Sequence, residues 1–223
     1  MSATVRVMIV DDDALMREGL RAVLSSDERI EVVEEAADGR IAVQRARHAR
    51  PDVVLMDVRM PDLDGIAATA ELLAAAPASR VMILTTFEDD AYLLGALRAG
   101  ASGFMLKRSS PEDLIAAIHT VAAGEALLSP SVTQRIIDRV ARHPVIDESA
   151  IAQLDELTPR EREVLELIAR GLSNREIAAE LTVEETTVKS HVKRVLMKLQ
   201  ARDRVQAVIF AYESGLVSPG RGG

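Results

Sequence analysis

Four short apolar runs each stop at a charged or hydroxyl-bearing residue, and this recurrence limits the possible folds more than any other feature. Val5–Val10 runs into Asp11 and Asp12, Val53–Met56 into Asp57, Val81–Leu84 into Thr85, and Gly103–Leu106 into Lys107. Brief runs of this kind, bounded by polar residues, read as strands of a parallel sheet buried on both faces. A fifth run, Glu31–Ala36, carries three glutamates, and that charge assigns it to a sheet edge. Helical patterns follow the strands over about Ala14–Ser26, Gly39–Arg50, Leu63–Ala75, Asp89–Ala99 and Pro111–Ala123. Five β/α repeats predict an α/β doubly wound parallel five-stranded sheet with helices on both faces. Periodicity leaves the strand order open.

Residues at the carboxyl ends of parallel strands converge on one edge of the sheet, where α/β proteins place their ligands. The pattern therefore gathers Asp11, Asp12, Asp57, Thr85 and Lys107 in one crevice. That set suits a divalent cation and a phosphoryl group. Mg2+ takes oxygen ligands and keeps several waters, so Asp12 and Asp57 can supply its carboxylates with Asp11 in support. Clustered acids repel one another until a cation relieves them, and the cation also polarises an incoming phosphoryl group. Asp57, alone at its strand end, is the expected nucleophile for an aspartyl phosphate. Lys107 would neutralise the phosphoryl charge and the Thr85 hydroxyl would donate a hydrogen bond to it. Taken singly, each acid is equally well explained as a solvated loop residue or a helix cap. The joint pattern is not, and a lone lysine after Gly-Phe-Met-Leu has no evident packing role.

Composition narrows the class. The 223 residues, 48% apolar and 28% charged, fit two modest globular domains. The absence of cysteine removes disulfides, thiolate zinc sites and cysteine nucleophiles, and the four histidines show no ligand spacing. No uncharged apolar run approaches ~20 residues and no basic-then-apolar leader opens the chain, so the expectation is a cytoplasmic protein without membrane contact. The net charge of −8 is unevenly spread. Residues 1–125 hold 13 Lys/Arg against 21 Asp/Glu, whereas residues 150–217 hold 10 against 11. Within the latter, Lys189, Lys193, Arg194, Lys198, Arg202 and Arg204 face only Asp203. Such a patch fits a polyanion, or a solvated helix end.

From Thr158 onward the strand signal disappears. Thr158-Pro-Arg-Glu161 combines a capping hydroxyl, proline at the first helical position and glutamate at the third. Val164, Leu165, Leu167 and Ile168 supply an apolar face, and Gly171 stops that helix. Ser173-Asn-Arg-Glu176 opens a second, short helix ending near Leu181. The turn at Thr182-Val183 leads into a third over about Glu184–Leu199, and a fourth follows over Arg202–Ser214. On the third, Val188, Val192, Val195, Leu196 and Leu199 fall within about a third of the helical circle, with Lys189, Ser190, Lys193 and Arg194 outside it. A short helix, a tight turn and a helix of this kind make a helix-turn-helix suited to a major groove, or else a small interaction bundle with a basic face. Between the halves, Val132, Ile136 and Val140 suggest a linker helix, and the stretch from His143-Pro144 to Asp155-Glu156 reads as extended.

These motifs resemble a known family. Val10-Asp-Asp12, Met56-Asp-Val-Arg-Met-Pro-Asp-Leu-Asp-Gly65, Leu84-Thr85 and Gly100-Ala-Ser-Gly-Phe-Met-Leu-Lys107 resemble the receiver domain of two-component response regulators. Leu157-Thr-Pro-Arg-Glu-Arg-Glu-Val-Leu165, Gly171-Leu-Ser-Asn-Arg-Glu-Ile-Ala178 and Thr187-Val-Lys-Ser-His-Val192 resemble the LuxR-type DNA-binding module. Together they are similar to the NarL/FixJ class across almost the whole chain. The resemblance implies a flavodoxin-like receiver over 1–124 with strand order 2-1-3-4-5, a linker over 125–154, a DNA-binding domain over 155–217 and a frayed tail over 218–223. It implies a regulator rather than an enzyme, whose Asp57 accepts phosphate from a sensor histidine kinase. Mg2+ would sit on Asp12, Asp57 and the backbone carbonyl of Arg59, assisted by Asp11. Thr85 and Phe104 match the switch pair, in which a hydroxyl moves toward the phosphate and an aromatic ring turns inward.

In the DNA-binding domain the resemblance implies base contacts through Lys189, Ser190 and Lys193. Arg194, Thr186 and Thr187 would hold phosphates of an operator bound by a homodimer. Leu114, Ile115, Ala117, Ile118 and Val121 on the last receiver helix either leave room for a partner or pack internally. Many receivers follow the lysine with proline, but here Arg108 follows. A cis bond without proline costs ~3 kcal/mol, so trans is expected. Two other readings also fit the sequence. Asp11-x-Asp13 is similar to the nucleophile motif of haloacid-dehalogenase-type phosphatases, although Ala14-Leu15 and the lack of a later acidic pair depart from it. The helical half could alternatively bind protein.

Overall fold

The computed structural model describes residues 4–86, 90–124 and 153–217, and the chain divides into two compact units, Met1–Leu127 and Leu128–Gly223. The expected linker helix on Val132, Ile136 and Val140, the stretch from His143 to Ala152 and the tail from Ser218 lie outside the described residues; Gln153 to Glu156, expected to be extended, form a helical turn instead, with the Glu156 N–H donating to the Gln153 carbonyl at 3.2 Å.

In the first unit, strands β1 (Val5–Val10), β2 (Ile30–Ala36), β3 (Val53–Asp57), β4 (Arg80–Thr85) and β5 (Gly103–Leu106) form one sheet in the order β2-β1-β3-β4-β5. Every pairing is parallel. All five residues of β3 are buried, because a central parallel strand is covered on both faces. Helices α1 (Ala14–Leu24), α2 (Gly39–Ala49), α3 (Gly65–Ala75), α4 (Asp90–Arg98) and α5 (Pro111–Ala122) supply that cover. On one face Val7, Ile9, Val53, Leu55, Met82 and Leu84 pack with Leu20 and Leu24 of α1 and with α5. Side chains alternate along a strand, so Met8, Val54, Met56 and Ile83 meet the opposite layer. Full burial of such a side chain contributes ~1.5–3 kcal/mol.

The glutamates of β2 do mark an edge, and each finds a cation. Arg6 lies 3.7 Å from Glu31 and Arg45 2.9 Å from Glu34, while Arg17 and Arg21 converge on Glu35. Leu114, Ala117, Ile118 and Val121 of α5 are buried in the core, and Ile115 packs partly against it. The first four are internal, whereas Ile115 is half-buried. Helix ends fall short of the sequence ranges for a local reason. Asp13 and Asp64 accept the first amide N–H groups of α1 and α3, so α3 starts at Gly65 rather than Leu63. No cis peptide bond occurs among the described residues, as expected for Lys107-Arg108.

The second unit contains α6 (Pro159–Ala169), α7 (Asn174–Glu180), α8 (Glu185–Lys198) and α9 (Arg204–Glu213). Both capping boxes form: Thr158 with Glu161, and Ser173 with Glu176. Thr182, in the left-handed region at φ 53°, makes the turn between α7 and α8. Val188, Val195 and Leu199 are buried, and the Tyr212 hydroxyl donates to the Ala169 carbonyl at 3.3 Å, tying α9 to α6.

Candidate functional site

The ends of β1, β3, β4 and β5 bring the sequence-selected residues together. Asp57 terminates β3 with its side chain buried, and Lys107 follows β5 with its backbone N–H donating to the Thr85 carbonyl at 2.8 Å. The Lys107 ammonium lies 2.6 Å from Asp11 Oδ2 and 3.0 Å from Asp57 Oδ2. The other Asp11 oxygen accepts the Asp13 N–H at 3.0 Å. Carboxylate oxygens of Asp11, Asp12 and Asp57 all lie within 4.8 Å of one another, with Asp12 exposed and the other two buried. Thr85 is buried at the end of β4, opposite Leu106, and Phe104 is buried beside Ile83. Arg59 follows Asp57 by two residues, its exposed guanidinium 5.4 Å from the centroid of the Tyr92 ring.

Burial pushes the Asp57 carboxyl above the usual range; Lys107 pulls it down and nearby Asp11 pushes it up again. Burial also works against the Lys107 ammonium, yet its hydrogen bonds to Asp11 and Asp57 outweigh that and raise its pKa. The two directions are compatible because one ammonium is shared between two carboxylates. With Asp12 added, three carboxylates face one ammonium, so full ionisation leaves the crevice at −2. Hard oxygen donors with that net charge fit a divalent cation such as Mg2+.

Two residues given no role in the sequence reading shape this crevice. Gly65 begins α3 against the end of β3: a Cβ there would stand 1.9 Å from the Asp57 carbonyl oxygen, which only glycine avoids. Arg17 Nη1 donates to the Asp11 carbonyl at 2.7 Å. Neither contact is visible without the fold, although Gly65 stands inside a quoted motif.

On α8, Thr186, Thr187, Lys189, Ser190, Lys193 and Arg194 are all exposed, opposite the buried valines. Lys189 lies 3.0 Å from Glu185 one turn earlier, and the Ser190 hydroxyl donates to the Thr186 carbonyl at 3.1 Å. Met197, 70% exposed, shares the face of Ser190 and Lys193 and was not foreseen. The basic patch is smaller than the sequence implied. Lys198 is drawn inward, 2.7 Å from the buried Glu161 and 2.9 Å from the Glu156 carbonyl. Arg204 donates to the Leu172 carbonyl and to Asn174 Oδ1. Among the described residues no helix is long and apolar enough to cross a membrane.

Comparison with known proteins agrees with both halves. Residues 7–119 match the response regulator receiver domain, and residues 155–211 match the bacterial regulatory proteins of the luxR family. The transcriptional regulatory protein YxjL of Bacillus subtilis is 42% identical over 96% of this chain and 97% of its own length. The crystal structure of ChrA, a response regulator of a heme-sensing two-component system, is 36% identical with TM-score 0.52, covering 97% of this chain and all of that one. A DNA complex of the two-component response regulator RcsB is 26% identical with TM-score 0.55, covering 94% of this chain and 98% of that one. A five-stranded parallel sheet with acids at its strand ends, joined to a capped four-helix unit and matched on both counts, places this chain among the two-component response regulators with a LuxR-type DNA-binding domain.

Proposed function

We propose that the chain is a phosphorylation-gated transcription regulator. Asp57 takes a phosphoryl group from the phosphohistidine of a sensor histidine kinase. A carboxylate oxygen forms the new P–O bond as the P–N bond breaks, and the departing imidazole nitrogen takes up a proton. Asp12, Asp57 and the Arg59 carbonyl, supported by Asp11, would hold Mg2+, which offsets the charge of phosphoryl oxygens and carboxylates. Lys107 neutralises the transferred group, the Thr85 hydroxyl donates to it, and Phe104 responds by ring packing alone, lacking a hydroxyl of its own.

The observation that carries this reading is the buried Asp57 carboxylate, 3.0 Å from the Lys107 ammonium and beside Asp11 and Asp12. Treating the chain with a small-molecule phosphodonor and Mg2+ tests it by mass. Wild type should gain one phosphoryl group and Asp57→Asn none. Label on Asp11 would instead favour the phosphatase reading. That reading is weakened because Asp13 is engaged in capping α1 and Asp11 is held through both oxygens.

Phosphorylation would shift an existing equilibrium in the region from β4 to α5 toward a homodimer, setting two α8 helices on adjacent half-sites of double-stranded DNA. Lys189, Ser190 and Lys193 read bases, while Arg194, Thr186 and Thr187 fix register on phosphates. The solved complex of the similar response regulator RcsB with DNA supports DNA as the partner of the helical half. The reading assigns a receiver to 1–124, a linker to 125–154, the DNA-binding domain to 155–217 and a tail to 218–223, with both kinase and operator met in the cytoplasm.

A further inference from the structure

Asp12 is the exposed member of the acid cluster, and the geometry points to Arg17 as the residue that positions it; this rests on the magnesium reading above. Arg17 Nη1 donates to the main-chain carbonyl of Asp11 at 2.7 Å. That carbonyl and the Asp12 amide belong to one planar peptide unit, so gripping the oxygen fixes the plane from which the Asp12 side chain leaves. The preceding peptide unit is anchored too, because the Asp11 N–H donates to the Ala36 carbonyl at 3.2 Å. Arg17 is itself anchored: its Nε lies 3.7 Å from Glu35 Oε2, and both side chains are largely covered, at 18% and 19% exposure. Arg21 Nε completes the clamp with a 2.6 Å hydrogen bond to the other Glu35 oxygen.

Helix α1 and edge strand β2 therefore meet over the acidic loop through one guanidinium. Its charge alone would oppose a cation bound nearby, and Glu35 offsets that charge while leaving the hydrogen bond to Asp11 intact. The two effects of Arg17 have opposite signs for metal affinity, so they can be separated. Groups that orient metal ligands from behind typically change affinity by about ten-fold or more when removed.

The test is calorimetric titration of the full-length chain with MgCl2, alongside the thermal midpoint without metal. Arg17→Met should weaken Mg2+ binding about ten-fold. Arg17→Lys, which keeps the charge but not the two-pronged geometry, should recover only part of it. Glu35→Gln loosens the anchor and should weaken binding less than Arg17→Met. It also serves as the second variant should Arg17→Met fail to fold. Unchanged affinity in Arg17→Met or Glu35→Gln, with only the midpoint lowered, would make the contact purely structural and overturn the proposal. Tighter binding in Arg17→Met would overturn it too, leaving repulsion as the dominant effect. Wild type that takes up no Mg2+, or takes it up equally as Asp57→Asn, would sink the underlying metal reading instead.

Discussion

At the scale of single residues, two positions carry consequences that follow from contact geometry. Gly65 has no room for even one methyl group against the Asp57 carbonyl. Gly65→Ala must push α3 away from β3, at a cost of ~3 kcal/mol or more. Chemical denaturation should show that loss, together with slower phosphorylation of Asp57. Glu161 is the second position. Hydrogen bonds from Lys198 and from the Thr158 backbone hold its carboxyl down at about 2 against an ordinary 4.5. A folded pKa below the unfolded one contributes stability that is complete above about 4.5 and lost as pH falls toward 2. The helical unit should lose stability across that window, and Glu161→Gln should flatten the dependence. Lys198→Met leaves the buried carboxylate without its cation and should destabilise the unit by about 3 kcal/mol at neutral pH. Equal stability of Lys198→Met and wild type would refute this account of the pair.

These residues also show where sequence reading stops. Asp57, Thr85 and Lys107 were legible because each ends an apolar run, and parallel strands bring such ends together whatever lies between. In the sequence Lys198 counts toward the basic patch because its partner stands 37 positions away, a pairing set by helix packing rather than local pattern. Arg17 escaped notice for the same reason, since its acceptor is a main-chain oxygen that no residue type announces.

At the scale of elements, local chemistry was the better guide. Thr158 and Ser173 were readable as caps because hydroxyl and glutamate at the right spacing satisfy amide groups the helix cannot. Thr158→Ala should cost about 1 kcal/mol in unfolding free energy. Strand β2 was legible as an edge from its glutamates, but not the arginines that neutralise them. On α8 the buried valine face was legible from periodicity, and the same spacing puts Met197 opposite Val188, where it is exposed. Lys193→Ala should weaken binding to a promoter fragment and reduce the slope of log affinity against log salt by roughly one counterion. An unchanged slope would show that this face of α8 does not meet phosphates or bases.

At the scale of the whole molecule, charge divides the work. The receiver half, at 13 basic against 21 acidic residues through position 125, gathers Asp11, Asp12 and Asp57 at the carboxyl ends of its strands. The near-neutral helical half displays Lys189, Lys193 and Arg194 on one exposed helix face. The sheet order β2-β1-β3-β4-β5 entered through family resemblance and not through periodicity, and it is the order found. Whether the apolar residues of α5 pack internally remained open in the sequence, and Leu114, Ala117, Ile118 and Val121 prove to be buried in the core.

The central claim is that phosphate on Asp57 governs assembly. Sedimentation velocity of the full chain, run with Mg2+ before and after a small-molecule phosphodonor and paired with mass measurement, tests it directly. The account predicts a shift from monomer to dimer in wild type that tracks the phosphorylated fraction and is absent from Asp57→Asn. Full phosphorylation of Asp57 with no change in sedimentation would contradict it.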